Sequence, residues 1–180
     1  MRLLVRIAVD MDEVIADFVS KEIRLFNEAN GTTYVKNDLA GKKLRELHPE
    51  QEESIRERVK DTRYFSDLPL IDGAKEALEK LSEKHEIFIT TAAMDFPTSF
   101  NAKYAWLQEY FAFIPKSHYV FCGDKSIISA DYLIDDHKHH LEDFQGQGIL
   151  FAAPHNYYEE YPLKMNSWDE IYEYFVETYG

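Results

Sequence analysis

A chain of 180 residues with 45% hydrophobic and 14% aromatic side chains can bury one sizeable core, which excludes a disordered protein and favours one domain with at most a modest insertion. The formal net charge of −13 repels polyphosphate backbones and anionic lipid surfaces, so neither polymeric nucleic acid nor a membrane is an expected partner; a bound divalent cation would still admit a small anion to one pocket. Cys122 is the single cysteine, no apolar run approaches the ~20 residues that a bilayer requires, and Met1 leads through Arg2 and Arg6 into a strand-like run unlike a signal peptide, so a reducing, cytoplasmic location is expected.

In chain order, residues 3–9 form a short apolar run that ends at Asp10 and reads as a buried parallel strand. No convincing strand follows between residues 14 and 71. Two helical patterns there, roughly 15–29 and 50–62, mark a helical cap, whose return path Leu68-Pro69-Leu70-Ile71-Asp72-Gly73 carries hinge-like turn residues. Residues 73–84 then repeat at helical spacing behind Asp72 as a possible N-cap, and residues 98–111 do so behind Pro97. Strand-like runs lie at 86–90, 118–121, 132–134 and 148–152. The last helix starts at Ser167, where Ser-Trp-Asp-Glu matches a capping box, and its Trp168, Ile171, Tyr172 and Phe175 fall on one face as core. This alternation specifies an α/β fold, a doubly wound parallel Rossmann-like sheet built from residues 1–13 and 72–180, with residues 14–71 inserted as the cap after the first strand.

The chemistry gathers where strands end. Asp10 and Asp12 flank Met11, and alternation along an extended segment points both carboxylates to one side. In an open α/β sheet, ligands bind outside the carboxyl ends of the strands. Later strands end in Thr90-Thr91, in a loop carrying Lys125, and in Asp135-Asp136. Asp10 and Asp136 suit a hard Mg²⁺ ion, which prefers carboxylates, waters and phosphate oxygens. Thr90, with Thr91 beside it, and Lys125 are then expected to hold the remaining oxygens of a phosphoryl group, whose charge is spread over its equatorial atoms. Read singly, the Asp10–Asp12 pair is also compatible with two solvated turn aspartates.

In that order, Asp10-Met11-Asp12, Thr90, Lys125 and Asp135-Asp136 resemble the haloacid dehalogenase superfamily. More narrowly, the runs from Asp10 to Phe18 and Lys103-Tyr104-Ala105-Trp106 are similar to the 5′(3′)-deoxyribonucleotidases. So are Asp124-Lys125, the run from Ser129 to Asp136, His155-Asn156 and Ser167-Trp168. The resemblance implies a Mg²⁺-dependent phosphatase in which Asp10 attacks phosphorus to form an aspartyl-phosphate, while Asp12 protonates the leaving alkoxide and later activates water. It also implies metal ligation by Asp10, the Asp12 backbone carbonyl and Asp136, with Asp135 as a close supporting partner. The implied substrate is a small phosphate monoester, a deoxynucleoside monophosphate, with its base stacked on cap aromatics such as Phe18.

The chain departs from that pattern in three places. Glu13 stands where glycine is usual, and as a first-turn helix residue it would sit against the helix dipole. The segment 38–43 lacks the aromatic pair typical of the family, leaving Tyr34, Tyr64 or Phe65 as substitutes or as cap core. His137 follows the acidic pair where arginine is frequent. His137, His139 and His140 suggest zinc, but with no second Cys or His cluster at structural-site spacing they read as a solvated loop. Cys122 reads as a small buried residue, and Lys103 as facing either phosphate or solvent. Phosphatase action on sugar or other metabolite phosphates, and a non-catalytic binding protein on the same fold, remain the alternatives.

Overall fold

The computed structural model describes residues 4–180; the first three positions, including Leu3 of the expected first strand, lie outside the described residues. Six parallel strands form one sheet in the order β3-β2-β1-β4-β5-β6: β1 Arg6–Asp10, β2 Glu86–Thr91, β3 Tyr119–Phe121, β4 Tyr132–Asp135, β5 Gln147–Phe151 and β6 Lys164–Met165. This is the order expected of a doubly wound sheet, with β1 at the point where the winding reverses. β1 and β4 are buried almost throughout because helices cover both faces, which is why they read as continuous apolar runs. β6 has two residues and no periodicity to announce it.

The segment between β1 and β2 holds α1 Phe18–Asn30, α2 Leu44–Leu47, α3 Glu52–Val59 and α4 Ala74–Ser82. Asp17 caps α1 by accepting the Ser20 N–H at 3.0 Å, and Gly31 ends it in the left-handed conformation. Ile23, Phe26, Leu39, Leu44 and Ile55 form a small core of their own beneath α1–α3. The two chain crossings beside this segment pair with each other: Asp17 N–H donates to the Pro69 carbonyl at 2.7 Å and Ile71 N–H to that of Ile15 at 2.9 Å. α4 begins differently from expectation. Its N-cap is Gly73 at φ 75°, with no side-chain cap, so Asp72 does not take that role.

α5 Phe100–Tyr110, α6 Lys138–Glu142 and α7 Trp168–Tyr179 complete the molecule. Residues 97–99 form a 3₁₀ turn ahead of α5. Ser167 caps α7 by accepting the Glu170 N–H at 3.2 Å, but Glu170 reaches back to the Asn166 N–H, one residue before the one that a capping box would engage. Trp168, Ile171 and Phe175 are buried in the main core as expected. Among the described residues, no helix is long and apolar enough to cross a membrane.

Candidate active site

Parallel register brings the chemical groups together. Asp10 at the end of β1 is paired with Thr90 of β2, and Asp135 ends β4 on the other side of β1. Lys125 opens a 3₁₀ turn beyond β3, fixed by Asp124, which accepts the Ser126 N–H at 3.0 Å. Its side chain, only 2% exposed, runs back under the strand ends and donates to the Asp10 carboxylate and to Asp135 Oδ2, the latter at 2.5 Å. Asp135 also accepts the His137 backbone N–H at 2.8 Å and meets His140 Nδ1 at 3.0 Å. Internal partners thus engage both of its oxygens. Asp136 has fewer contacts, with His137 Nδ1 at 3.0 Å and His155 Nε2 at 3.5 Å.

Three buried carboxylates around one ammonium leave an excess of negative charge. Burial first, and then the charges of Asp135 and Asp136, push the Asp10 carboxyl up to about 8, against the opposing pull of Lys125. Burial also disfavours ionised Asp135, but Lys125 and His140 outweigh it and hold that carboxyl well below the usual range. The Lys125 ammonium is held charged above its ordinary range, since Asp10 and Asp135 outweigh its burial. Asp10, Asp135 and Asp136 each present an oxygen within 4.8 Å of the others. An all-oxygen set carrying surplus negative charge fits a hard divalent cation, whose charge would offset what burial makes costly.

A second polar group adjoins the first. Lys103 on α5, 2% exposed, donates to Asp12 Oδ2 at 2.5 Å and to the Thr91 hydroxyl at 2.8 Å. Lys103 therefore faces the carboxylates and not solvent. The other oxygen, Asp12 Oδ1, is buried without a hydrogen-bond partner. Such an atom is costly unless another group completes it. Successive residues of β2 point oppositely, and the Thr90 hydroxyl faces the Val9 carbonyl at 3.4 Å, so Thr91 brings its hydroxyl to the polar cluster.

Above these groups, Phe18 packs on Tyr64 and Phe65 at ring separations of 5.6 and 6.0 Å, and the Lys103 ammonium lies 4.6 Å from the Phe65 ring centre. Tyr34 packs instead on Phe26 and His48 at the far side of α1. Glu13 is not in a helical first turn. It sits at φ 60°, the left-handed region that favours glycine, yet its buried carboxylate accepts the Val19 N–H at 2.6 Å and so still serves the start of α1. Burial, only partly offset by Lys36, pushes the Glu13 carboxyl up to about 8. His137, His139 and His140 flank and occupy α6, where a solvated loop was expected, and Cys122 is half-buried with its thiol donating to the Asp124 carbonyl.

Sequence reasoning passed over Lys36, Lys43 and the role of His155. Lys36 pairs with Asp17 at 2.6 Å, Lys43 Nζ lies 3.4 Å from His137 Nε2, and His155 Nε2 reaches the Asp136 carbonyl at 3.1 Å. Only His155 left a signal, as part of the His155-Asn156 match. Isolated surface lysines carry none.

Comparison with known proteins agrees with this geometry. Residues 3–178 match the family described as 5′ nucleotidase, deoxy (pyrimidine), cytosolic type C protein. The chain is 44% identical over 170 residues to a Staphylococcus epidermidis protein named provisionally as a 5′(3′)-deoxyribonucleotidase, with 94% of this chain and 95% of the relative covered. It is 38% identical over 165 residues to a 5′(3′)-deoxyribonucleotidase of Bacillus subtilis, covering 92% and 95%. Among solved structures, a provisionally named HAD-hydrolase, YfnB of Bacillus subtilis, bound to magnesium, superposes with a TM-score of 0.61 at 13% identity, covering 96% of this chain and 99% of that one. A haloacid dehalogenase-like protein of unknown function from Agrobacterium tumefaciens gives 0.58 at 14% identity, covering 98% and 100%.

Proposed function

The chain belongs to the 5′(3′)-deoxyribonucleotidase family, and from that premise we propose that it is a phosphomonoesterase of deoxynucleoside monophosphates that works through Asp10 and Asp12. The observation that carries this reading is the arrangement at the strand ends, where Lys125 grips Asp10 while Lys103 holds one oxygen of Asp12 and the other stays buried without a partner.

The Asp10 carboxylate attacks phosphorus, the bond from phosphorus to the ester oxygen breaks, and Asp12 transfers its proton to the departing alkoxide, giving an alcohol and an aspartyl-phosphate. Asp12, now a carboxylate, takes a proton from water as that water attacks phosphorus. The bond from phosphorus to the Asp10 oxygen breaks, inorganic phosphate leaves, and both carboxyl groups return to their starting states. Magnesium, held by Asp10, Asp136 and the Asp12 backbone carbonyl, would supply positive charge to the phosphoryl oxygens and keep Asp10 ionised. Lys125 and the Thr91 hydroxyl hold phosphoryl oxygens, with Thr90 supporting the strand end. Asp135 aims Lys125 and His140. Lys103 orients Asp12, and Phe18 with Phe65 offers a face to the nucleobase. Residues 14–71 act as a cap over the site, hinged at the crossings where residue 17 meets 69 and residue 71 meets 15.

One observation favours a second substrate class. Residues 36–39 form a 3₁₀ turn whose side chains include no aromatic ring, so base stacking rests on fewer rings and a sugar phosphate becomes a competitor. Phosphate release from a panel of deoxyribonucleotides, ribonucleotides and sugar phosphates, with Mg²⁺ or chelator, tests the reading. Mg²⁺-dependent release that is best with deoxynucleotides and abolished by Asp10→Asn is expected. Preference for sugar phosphates would move the assignment, and no release from any substrate would overturn it.

A further inference from the structure

Beside the all-oxygen cluster lies a second group of different chemical character. Asp136, His137 and His155 each present a ligand atom within 4.8 Å of the others. His137 Nδ1 stands 3.0 Å from Asp136 Oδ1, and His155 Nε2 stands 3.5 Å from Asp136 Oδ2. Tetrahedral ligands at zinc bond lengths are separated by roughly 3.3 Å, near the spacing of each imidazole from its own oxygen of the Asp136 carboxylate. Two distant parts of the chain converge here: Asp136-His137, between β4 and α6, and the 3₁₀ turn Pro154–Asn156 after β5. The two imidazoles stack at 4.5 Å, and Asn156, fully buried, donates to the Asp136 carbonyl at 2.8 Å and so fixes the main chain that both sides share. Asp136 is thus buried, and two half-buried imidazoles are braced against it.

We propose that Asp136, His137 and His155 form a binding site for a divalent transition-metal cation of the zinc class, adjoining the acidic cluster and sharing Asp136 with it. Two neutral imidazole nitrogens and one carboxylate suit zinc and its neighbours, whereas Mg²⁺ selects the oxygen set of Asp10, Asp136 and the Asp12 carbonyl. The two sites therefore sort cations by ligand softness. With the Lys43 ammonium donating to His137 Nε2, the ring proton resides on Nδ1 and is given to Asp136. His155 likewise donates from Nε2 to the Asp136 carbonyl. A cation entering between them replaces those two protons. Each ring then carries its proton on its outer nitrogen, and Lys43 turns away. Lys43 is accordingly an internal competitor for the site.

The test is a Zn²⁺ titration of the intact protein against a chromophoric chelator with Mg²⁺ in excess, supported by the visible spectrum of the Co²⁺ form. One equivalent of Zn²⁺ is expected to bind. His137→Gln and His155→Gln should each weaken binding about tenfold or more, His139→Gln and Asp10→Asn should leave it unchanged, and Lys43→Gln should tighten it. Melting of each variant without metal establishes folding, and if His155→Gln fails to fold, His137→Gln decides the matter. The proposal is overturned if the protein cannot compete for Zn²⁺. It is equally overturned if Asp10→Asn abolishes binding while the histidine variants retain it, because the cation then sits in the acidic cluster.

Discussion

His85 shows what a single side chain outside the site does to the molecule. It is 6% exposed, its Nδ1 has no hydrogen-bond partner, and its ring packs on Phe175 and Tyr179 of α7 at 5.9 and 5.5 Å. Burial, reinforced by the charge of Lys84, lowers its pKa below the ordinary value of 6.5. Between the lowered and ordinary values the unfolded chain binds more protons than the folded one, so stability is intact above about pH 6.5 and is lost as pH falls below it. Melting temperatures from pH 8 to 5 should therefore fall more steeply for the native chain than for His85→Gln; parallel curves would contradict this account. Glu13 is the residue-scale counterpart at the site. Its position after Asp12 was visible in the sequence, and the glycine usual there in the family is the one signal of its left-handed φ, a signal that the glutamate itself does not carry.

Two tryptophans govern how elements meet. Trp106 on α5 donates from Nε1 to the Leu68 carbonyl at 2.8 Å, and Trp168 at the start of α7 donates to the Val14 carbonyl at 2.7 Å. Each pins one of the two chain crossings beside the helical segment. Trp168→Phe keeps the apolar bulk but leaves the Val14 carbonyl unpaired, which should cost about 1–3 kcal/mol in urea unfolding and speed hydrogen exchange around residues 14–17. Loss of stability without faster exchange there would show that the tryptophan only fills space. Alternation and periodicity made five of the six strands and most longer helices legible, because burial on both faces and one-sided burial each leave a repeat. β6 and α2, of two and four residues, are too short for any repeat. That the strand ends bring Asp10, Thr90-Thr91, Lys125 and Asp135 together was legible because order along the chain maps directly onto a parallel sheet, but which threonine hydroxyl turns to the polar cluster was not, since Thr90 faces the Val9 carbonyl. Lys103 was only half legible, since a lysine on an aromatic-rich helix can face either way until tertiary packing buries it. His155 was legible only as a family match, since its partner Asp136 follows β4, the strand beside β5.

At the scale of the whole molecule, a chain with a net charge of −13 gathers three carboxylates around one ammonium in one buried place. Such a site should be less stable empty than filled. Mg²⁺ at about a hundredfold excess over its dissociation constant should add about 2.7 kcal/mol to unfolding free energy, a gain that chelator reverses. Asp10→Asn should lose that gain, because it removes a carboxylate proposed to hold the ion; an undiminished Mg²⁺ effect in this variant would place the cation elsewhere.

The proposed chemistry makes its most exposed commitment at Asp10, and a quench experiment reads it directly. Protein in excess is mixed with Mg²⁺ and a deoxynucleoside monophosphate labelled in its phosphoryl group, stopped in acid within one turnover, and digested. Label should appear transiently on the peptide carrying Asp10, be absent in Asp10→Asn, and decay as free phosphate accumulates. Free phosphate formed at the full rate with no label ever reaching Asp10 would contradict the covalent route.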